Sequence, residues 1–232
     1  MRSALRPAVD VSVVMAVKNG ALFIDQALDS LEALSVQPRE VLVIDASSTD
    51  DTPTIVRKRS WATLVVQQSR GIAGAYNEAI GLASGGLVAF LSHDDLWAPE
   101  KLARHVAVMT ARPELQFTVS LVQHFLEPGA AAPVGFRRAL LDGPVAGMLM
   151  EALVARRALF DAIGPFDTRF TTGEDTDWFA RALDAGVAHA TLGEVLVRKR
   201  VHTSNASLND ARLNANLLTA LRRSVERKRA PS

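Results

Sequence analysis

GIAGAYNEAIGLASGGLVAFLSHDDLWAPEKL, residues 71–102, is the stretch that indicates the fold most clearly. Small and apolar residues recur at helical spacing over 72–84, and GLVAFLS at 86–92 has the length and composition of a buried strand. His93, Asp94 and Asp95 follow that strand directly. A helix, a buried strand and polar residues at the strand's carboxyl end form the repeating unit of a parallel α/β sheet, and ligands bind at that end of such sheets.

The same unit repeats toward the N-terminus. The predicted strands are VSVVMAV at 11–17, EVLVIDA at 40–46 and ATLVVQQ at 62–68. We expect Asn19 to cap the helix after the first strand. Thr52 and Pro53 should begin the second helix, because two aspartates precede them and Pro is tolerated in a first turn. Four strands within about ninety residues predict a doubly wound, mostly parallel sheet flanked by helices.

The pattern is less regular toward the C-terminus, where we expect a smaller mixed region. Residues 127–147 are rich in Gly and Pro, which indicates a long loop crossing the sheet. The predicted elements around this loop are a helix over 100–112, a strand over 115–125, a strand-like run MLMEALVA at 148–155, a turn at 163–167, a helix over 174–185 ended by Gly186, and a strand over 194–202.

Composition restricts the class of protein. The 232 residues are 48% hydrophobic and 22% charged, which suits one folded domain with a sizeable core. A net charge of +1 and a single tyrosine disfavour nucleic acid as a partner. The absence of cysteine excludes disulfides, thiolate catalysis and Cys-based zinc sites. Because no apolar window approaches a membrane span and the N-terminus lacks a signal-peptide pattern, we expect a soluble, cytoplasmic protein.

A basic, helix-like segment forms the C-terminal part of the chain, and we treat 208–232 as a helix with a basic tail. Two interpretations of its charges stay open: a solvated terminal helix, or a surface that contacts anionic lipid at the inner face of a membrane or an acidic partner. Its leucines recur at helical spacing and could pack on the body or on a second subunit of an oligomer. The residues concerned are Arg212, Leu213, Leu217, Leu218, Leu221, Arg222, Arg223, Arg227, Lys228 and Arg229.

Two acidic clusters are the candidates for chemistry. The chain contains neither G-x-G-x-x-G after the first strand nor a G-x-x-x-x-G-K-[ST] loop, so a bound phosphate would need a metal or side chains to offset its charge. Asp94 and Asp95 provide the oxygen ligands that Mg²⁺ or Mn²⁺ prefers, although an Asp pair is also common in loops. Glu174 and Asp175 lie at a predicted helix start, where acidic residues also favour the helix dipole without any catalytic role.

Six segments together resemble the family 2 inverting glycosyltransferases of the GT-A fold. They are SVVMAVKNG, EVLVIDASSTDDT, the stretch 71–102, IGPFD, GEDTDWFAR and RVHTSNAS, which occur in the family's order over roughly residues 10–207. The resemblance implies one domain over 1–207, with a nucleotide-binding half at about 10–98 and an acceptor-binding half at about 99–207. It also implies a nucleoside diphosphate-sugar donor, usually UDP-linked, a divalent cation (Mn or Mg), and transfer to an acceptor hydroxyl with inversion.

The resemblance also assigns residue roles. Asp175 resembles the general base, with Glu174 beside the acceptor. Asp94 resembles the last acid of the family's metal motif, Asp95 follows it, and His202 resembles a late histidine that approaches the metal or diphosphate. Asp45 resembles the acid that contacts the nucleobase, although a loop carboxylate that caps local amides is an equal alternative. The remaining residues of the implied nucleotide site are Ala16, Lys18, Asn19, Ser47, Arg70, Asn77 and His93.

Three positions depart from the family pattern. Ser92 stands where the family has the first acid of its metal motif, so one metal or ribose contact is lost or replaced. Ala16 replaces a usual proline, and Lys18 replaces a usual aromatic and could instead pair with a phosphate. Ser92 leaves one alternative open, an inactive module that binds nucleotide-sugars. A second alternative is a nucleotidyltransferase, although AVKNGA after the first strand is a poor match to the glycine-rich loop with a basic residue that such an enzyme normally has. The acceptor, whether saccharide, lipid-linked or other, depends on variable loops and stays open.

Overall fold

The computed structural model describes residues 8–205 and 213–229. These residues contain one mixed sheet of nine strands, with helices packed around it. The strands are β1 (Ala8–Val17), β2 (Gln37–Asp45), β3 (Ala62–Val66), β4 (Leu87–Phe90), β5 (Leu96–Trp97), β6 (Phe117–Phe125), β7 (Val145–Ala146), β8 (Val154–Arg156) and β9 (His189–Arg200). The helices are α1 (Ile24–Glu32), α2 (Thr52–Arg57), α3 (Gly71–Leu82), α4 (Lys101–Ala111), α5 (Arg157–Ile163), α6 (Glu174–Asp184) and α7 (Leu213–Arg229).

The N-terminal half of the sheet is parallel and runs in the order β3-β2-β1-β4. Its central strands are buried on both faces, which is why they appear in the sequence as continuous apolar runs rather than alternating ones. Helix α1 covers one face with a stripe of buried residues, namely Ile24, Ala27, Leu28 and Leu31. The predicted strands and the doubly wound arrangement are confirmed in this half.

The C-terminal half of the sheet is mixed. Strand β8 pairs antiparallel with both β4 and β6, β6 pairs parallel with β9, and the short β5 and β7 join antiparallel. The overall order is β3-β2-β1-β4-β8-β6-β9-β5, with β7 on β6. This confirms the predicted architecture of a mostly parallel sheet with a smaller mixed region.

Three local predictions were wrong or incomplete. Asn19 does not cap α1, because that helix begins only at Ile24; Asn19 has φ 52° and its Oδ1 accepts a hydrogen bond from the Thr49 amide at 2.9 Å. The run at 148–155 is not one strand, since a 3-10 turn at Met150–Ala152 precedes β8. Helix α5 was not predicted, because its seven residues are too few to show a clear helical period.

Helix α7 packs on α6 and belongs to the body of the described structure. Its buried contacts are made by Ala220 and Ser224, and the Ser224 hydroxyl donates to Asp184 Oδ1 at 2.9 Å. Arg227 Nε donates to the other oxygen of the same carboxylate at 2.9 Å. Within the described ranges, no helix combines the length and apolar character needed to cross a bilayer. The N-terminal residues 1–7, the end of the RVHTSNAS motif, Arg212 and residues 230–232 lie outside the described residues.

Candidate active site

A cavity of about 290 Å³ lies at the carboxyl ends of β1, β2 and β3. Its lining includes three of the predicted nucleotide-site residues, Lys18, Ser47 and Arg70, together with Ala46, Gln67, Ser69 and Gly71. Adjacent parallel strands end at the same edge of a sheet, so the loops after them converge there. The Lys18 and Arg70 side chains bring two positive charges to this cavity, which favours an anionic ligand.

The loop after β2 is held in a fixed shape beside this cavity. Ser47 adopts φ 57°, a left-handed conformation that turns the chain sharply. Asp45 is buried, and both of its carboxylate oxygens accept from the Ser48 amide at 3.2 and 3.3 Å. The backbone amide of Asn19 in turn donates to Ser48 Oγ at 2.7 Å. Asp45 and Asn19 therefore shape the loop, and their direct contact with a nucleotide stays a prediction.

Asn77 does not line the cavity that Lys18, Ser47 and Arg70 border. Its Nδ2 donates to the Phe166 carbonyl oxygen and its Oδ1 accepts from the Phe166 amide, both at 2.9 Å. This pairing ties α3 to the segment after α5 and uses both ends of the side-chain amide. The structure thus places Asn77 in a structural contact, next to a different surface cavity that Arg157 and Pro165 also line.

The end of β4 meets the end of β9 at Asp94. His202 Nε2 lies 2.9 Å from Asp94 Oδ2, and Asn205 Nδ2 donates to the same oxygen at 3.3 Å. Burial opposes ionisation of Asp94, but the hydrogen bond from His202 and the nearby positive charges of His93 and Lys199 lower its pKa to about 2. The predicted metal residues Asp94 and His202 are therefore in contact, with the His93 side chain close by.

These side chains fit an open metal site. An aspartate oxygen and an imidazole nitrogen are ligands that Mn²⁺ accepts, and Asp94 and His202 each keep part of their side chains exposed, at 12% and 15%. Over residues 8–205 and 213–229, no group of three or more Asp, Glu or His side chains is arranged around one ion position. A cation held by Asp94 and His202 alone would keep coordination positions for phosphate oxygens, as Mg²⁺ and Mn²⁺ in nucleotide sites commonly do.

Asp95 points away from this position. Its side chain is 0% exposed; Oδ2 accepts from Lys199 Nζ at 2.9 Å and Oδ1 accepts from the Arg200 amide at 2.8 Å. Burial raises the pKa of the Asp95 carboxyl, and the positive charge of Lys199 opposes that rise. Through these two contacts, Asp95 holds β9 against the segment after β4. Both of its oxygens already accept hydrogen bonds from the protein, so this geometry gives no support to the predicted metal contact of Asp95.

Glu151 lies close to Asp95, because both carboxylates pair with Lys199, and it was not predicted from the sequence. Its Oε1 accepts from the Ser92 hydroxyl at 2.5 Å and from Lys199 Nζ at 3.2 Å. Glu151 lies in the 3-10 turn between β7 and β8, a segment predicted to be part of a strand. The one available signal was a lone acid inside the apolar run MLMEALVA, since a buried carboxylate needs a partner.

The second acidic cluster begins α6. Burial raises the pKa of Asp175 to about 6, with Glu151 adding to the rise, and burial together with Asp175 raises the pKa of Glu174 to about 8. Asp177 instead forms an ion pair with Arg181 at 2.9 Å, which is the structural role expected of an acid in a first helical turn. The charge of Glu151 raises the pKa of both Asp175 and Asp95, so both acidic clusters lie within electrostatic range of Glu151.

A sequence model described as "Glycosyl transferase family 2" matches residues 12–168, more than half of the chain. The chain belongs to this family. Among its family 2 relatives, an uncharacterized glycosyltransferase of Rickettsia typhi is 27% identical over 218 residues, which is 86% of this chain and 67% of the relative. The Escherichia coli enzyme named UDP-Glc:alpha-D-GlcNAc-diphosphoundecaprenol beta-1,3-glucosyltransferase WfgD is 26% identical over 211 residues, covering 86% of this chain and 80% of that enzyme.

Solved structures show the same fold for this family 2 glycosyltransferase. TarS of S. aureus in complex with UDP-GlcNAc superposes with a TM-score of 0.73 at 20% identity, over 94% of this chain and 66% of TarS. The mannosyltransferase PcManGT of Pyrobaculum calidifontis, in complex with GDP-Man and Mn²⁺, gives a TM-score of 0.72 at 24% identity, over 96% of this chain and 66% of PcManGT. The fold is therefore GT-A, and the chain spans about two thirds of the length of either solved protein.

Proposed function

We propose that this family 2 glycosyltransferase moves a sugar from a UDP-sugar to an acceptor hydroxyl, with inversion at the anomeric carbon. The observation that carries the proposal is the contact between Asp94 and His202 at the strand ends, with Asp175 within electrostatic range of the neighbouring Glu151 and Lys199. The name of WfgD specifies UDP-Glc and the TarS complex contains UDP-GlcNAc, which favours a uridine nucleotide. PcManGT was solved with GDP-Man and Mn²⁺, which supports a divalent cation. Because its nucleotide is a guanosine nucleotide, the nucleobase of the donor needs to be tested by experiment.

The donor would lie along the carboxyl edge of the parallel strands. The nucleoside would occupy the cavity lined by Lys18, Ser47 and Arg70, and the diphosphate would extend toward Asp94 and His202. A divalent cation held by Asp94 and His202 would offset the charge that develops on the diphosphate leaving group. The positive charges of Lys18 and Arg70 at the cavity would attract the anionic donor.

Asp175 would act as the general base in a single displacement. The acceptor oxygen attacks the anomeric carbon, the bond from that carbon to the diphosphate oxygen breaks, and the acceptor proton passes to Asp175. A pKa near 6 leaves this carboxylate ionised at neutral pH while keeping it basic enough to take the proton. Positioning of donor and acceptor, together with charge stabilisation, would supply most of the acceleration.

A panel of UDP- and GDP-sugars tests the donor directly. The melting temperature is measured for each ligand with Mn²⁺, with Mg²⁺ and with EDTA. A ligand at 100 times its Kd stabilises the native state by about 2.7 kcal/mol, so a UDP-sugar with Mn²⁺ should raise the melting temperature by several degrees. If no nucleotide-sugar stabilises the protein under any condition, the proposal is wrong. Binding without donor hydrolysis or transfer would instead indicate the inactive module.

We also propose that α7 brings the enzyme to the inner face of a membrane, which places it in the cytoplasm. Leu218 and Leu221 are 53% and 60% exposed, and Arg222 follows them on the same helix. At its other side α7 approaches the acidic cluster, because Leu217 lies beside Gly173. The acceptor named for WfgD is linked to diphosphoundecaprenol, a lipid. A lipid-linked acceptor would then reach Asp175 from the membrane surface that α7 contacts.

Cosedimentation with vesicles tests this contact. The protein should bind vesicles containing anionic phosphatidylglycerol more strongly than neutral phosphatidylcholine vesicles, and R222E should weaken that binding more than fivefold, since one basic residue near an anionic surface contributes about 1 kcal/mol. The exposed Arg112→Glu variant, at the end of α4, is the matched control. Equal binding of native protein and R222E would contradict the membrane contact without affecting the proposed reaction.

A further inference from the structure

Ser92, Glu151 and Lys199 form a cluster at the active site that the mechanism above does not use. The cluster joins three separate elements: the end of β4, the 3-10 turn before β8, and β9. Glu151 Oε1 accepts from Ser92 Oγ at 2.5 Å and from Lys199 Nζ at 3.2 Å, and Lys199 Nζ also donates to Asp95 Oδ2 at 2.9 Å. One carboxylate oxygen therefore holds both partners in place.

The chemistry of the groups fixes the direction of the bond between Ser92 and Glu151. A carboxylate that accepts from an ammonium group is ionised and can only accept, so the Ser92 hydroxyl must donate its single proton to it. The lone pairs that remain on Ser92 Oγ can only accept. A ligand group that forms a hydrogen bond with Ser92 Oγ must therefore be a donor, such as a sugar hydroxyl, and cannot be an ionised phosphate oxygen.

Ser92 is close in the chain to Asp94, where the diphosphate is proposed to bind. It lies two residues after the end of β4 and two residues before Asp94, and it is only partly buried. Glu151 and Lys199 lie behind it, each with at most 23% of the side chain exposed. Removal of the Glu151 carboxylate would free the Ser92 hydroxyl to rotate and would leave Lys199 with Asp95 as its carboxylate partner. The ligand would then meet a hydroxyl with no preferred direction.

We propose that Glu151 is a positioning residue for donor binding, which holds Ser92 Oγ as an acceptor for a hydroxyl of the bound nucleotide-sugar. The inference rests on the proposed function, because the hydroxyl belongs to the donor. That hydroxyl lies either on the ribose or on the transferred sugar. UDP carries only the ribose, and UDP-glucose carries both, so the two ligands distinguish the two sources.

Titration calorimetry with UDP and with UDP-glucose, both in the presence of Mn²⁺, measures the effect. A single hydrogen bond contributes about 0.5 to 1.5 kcal/mol, so S92A and E151A should each bind about 3- to 10-fold more weakly. The double variant should lose no more than either single variant, because both changes remove the same contact. E151Q should recover most of the affinity that E151A loses, since the amide oxygen of Gln accepts from both Ser92 and Lys199.

Glu194→Ala is the matched control. Glu194 lies on β9 like Lys199 and forms an ion pair with Arg104, but that pair is on the exposed surface. Its loss should leave both affinities unchanged. A loss for UDP and UDP-glucose alike places the contact on the ribose, and a loss for UDP-glucose alone places it on the transferred sugar; both results support the proposal.

Three results would overturn it: unchanged affinities in E151A, additive losses in the double variant, or E151Q binding as weakly as E151A. Circular dichroism and thermal unfolding establish that each variant is folded. If E151A does not fold, S92A and E151Q still give opposite expectations, a loss and a near-native affinity. A native chain that binds neither UDP nor UDP-glucose contradicts the proposed function, and with it this inference.

Discussion

The two halves of the sheet place their functional side chains in different ways. In the parallel half, Lys18, Ser47 and Arg70 stand on loops that directly follow β1, β2 and β3, so each is positioned by the strand before it. In the mixed half, Glu151 and His202 reach the site from a 3-10 turn and from the chain after β9. Local sequence therefore fixes the first set, whereas pairing between distant segments fixes the second. Loss of Asp175 in the mixed half should alter chemistry, whereas loss of Lys18 or Arg70 in the parallel half should alter nucleotide binding.

The largest expected effect comes from Asp175→Asn. Loss of a general base typically costs 10²- to 10⁴-fold in rate, so transfer should fall by roughly that factor while the Kd for the donor stays nearly unchanged. Single-turnover transfer and calorimetry separate the two quantities. Asp177→Asn controls for a charge change on the same helix. Normal turnover in Asp175→Asn would remove this residue from the role and would weaken the contrast between the halves.

Asp94→Ala should have the next largest effect, which is measured as a loss of Mn²⁺-dependent binding. Removal of a metal ligand should weaken Mn²⁺-dependent binding of UDP at least roughly 10- to 100-fold, a loss already seen when only outer partners of metal ligands are removed. Binding measured in EDTA should change much less. Asp95→Asn, whose carboxylate serves Lys199 and the Arg200 amide, is the informative comparison. Equal loss with and without Mn²⁺ would move the metal away from Asp94.

The pH dependence of the reaction should report Asp175. Burial raises its folded-state pKa to about 6, and a general base works only when deprotonated. Activity should therefore be present above about pH 6 and fall about tenfold per pH unit below it. The measurement is kcat/KM for the acceptor between pH 4.5 and 8, with donor binding followed in parallel. A flat profile across pH 6 would contradict the assignment.

Asn77→Ala should have the smallest functional effect, although the residue resembles a nucleotide contact in sequence. Its side chain makes two hydrogen bonds to the Phe166 backbone, so its loss should lower the free energy of unfolding by about 1 to 3 kcal/mol. The Kd for UDP should stay within about twofold of native. Denaturant unfolding and calorimetry give the two values. A large loss of UDP affinity in a stable variant would return Asn77 to the donor site.

The sequence predicted the parallel half well because each signal there is local. Apolar runs marked β1 to β4, and the polar residues after those runs marked the candidate site. Asp94 and Asp95 look equivalent in the sequence. In the structure Asp95 is buried and pairs with Lys199, whereas Asp94 contacts His202. That difference depends on the register of β9 against the end of β4, which neither segment specifies alone. Glu151 was missed for the same reason, since its two partners are 59 and 48 residues away in the chain.

The contact between Asp94 and His202 has a consequence for how the protein becomes active as it folds. The two residues are 108 positions apart, so the intervening chain must close a long loop before they meet. During synthesis the N-terminal domain half can form its parallel strands early, but the contact between Asp94 and His202 cannot form until His202 has left the ribosome and β9 has docked. With the proposed metal site, Mn²⁺-dependent nucleotide binding would therefore report complete folding.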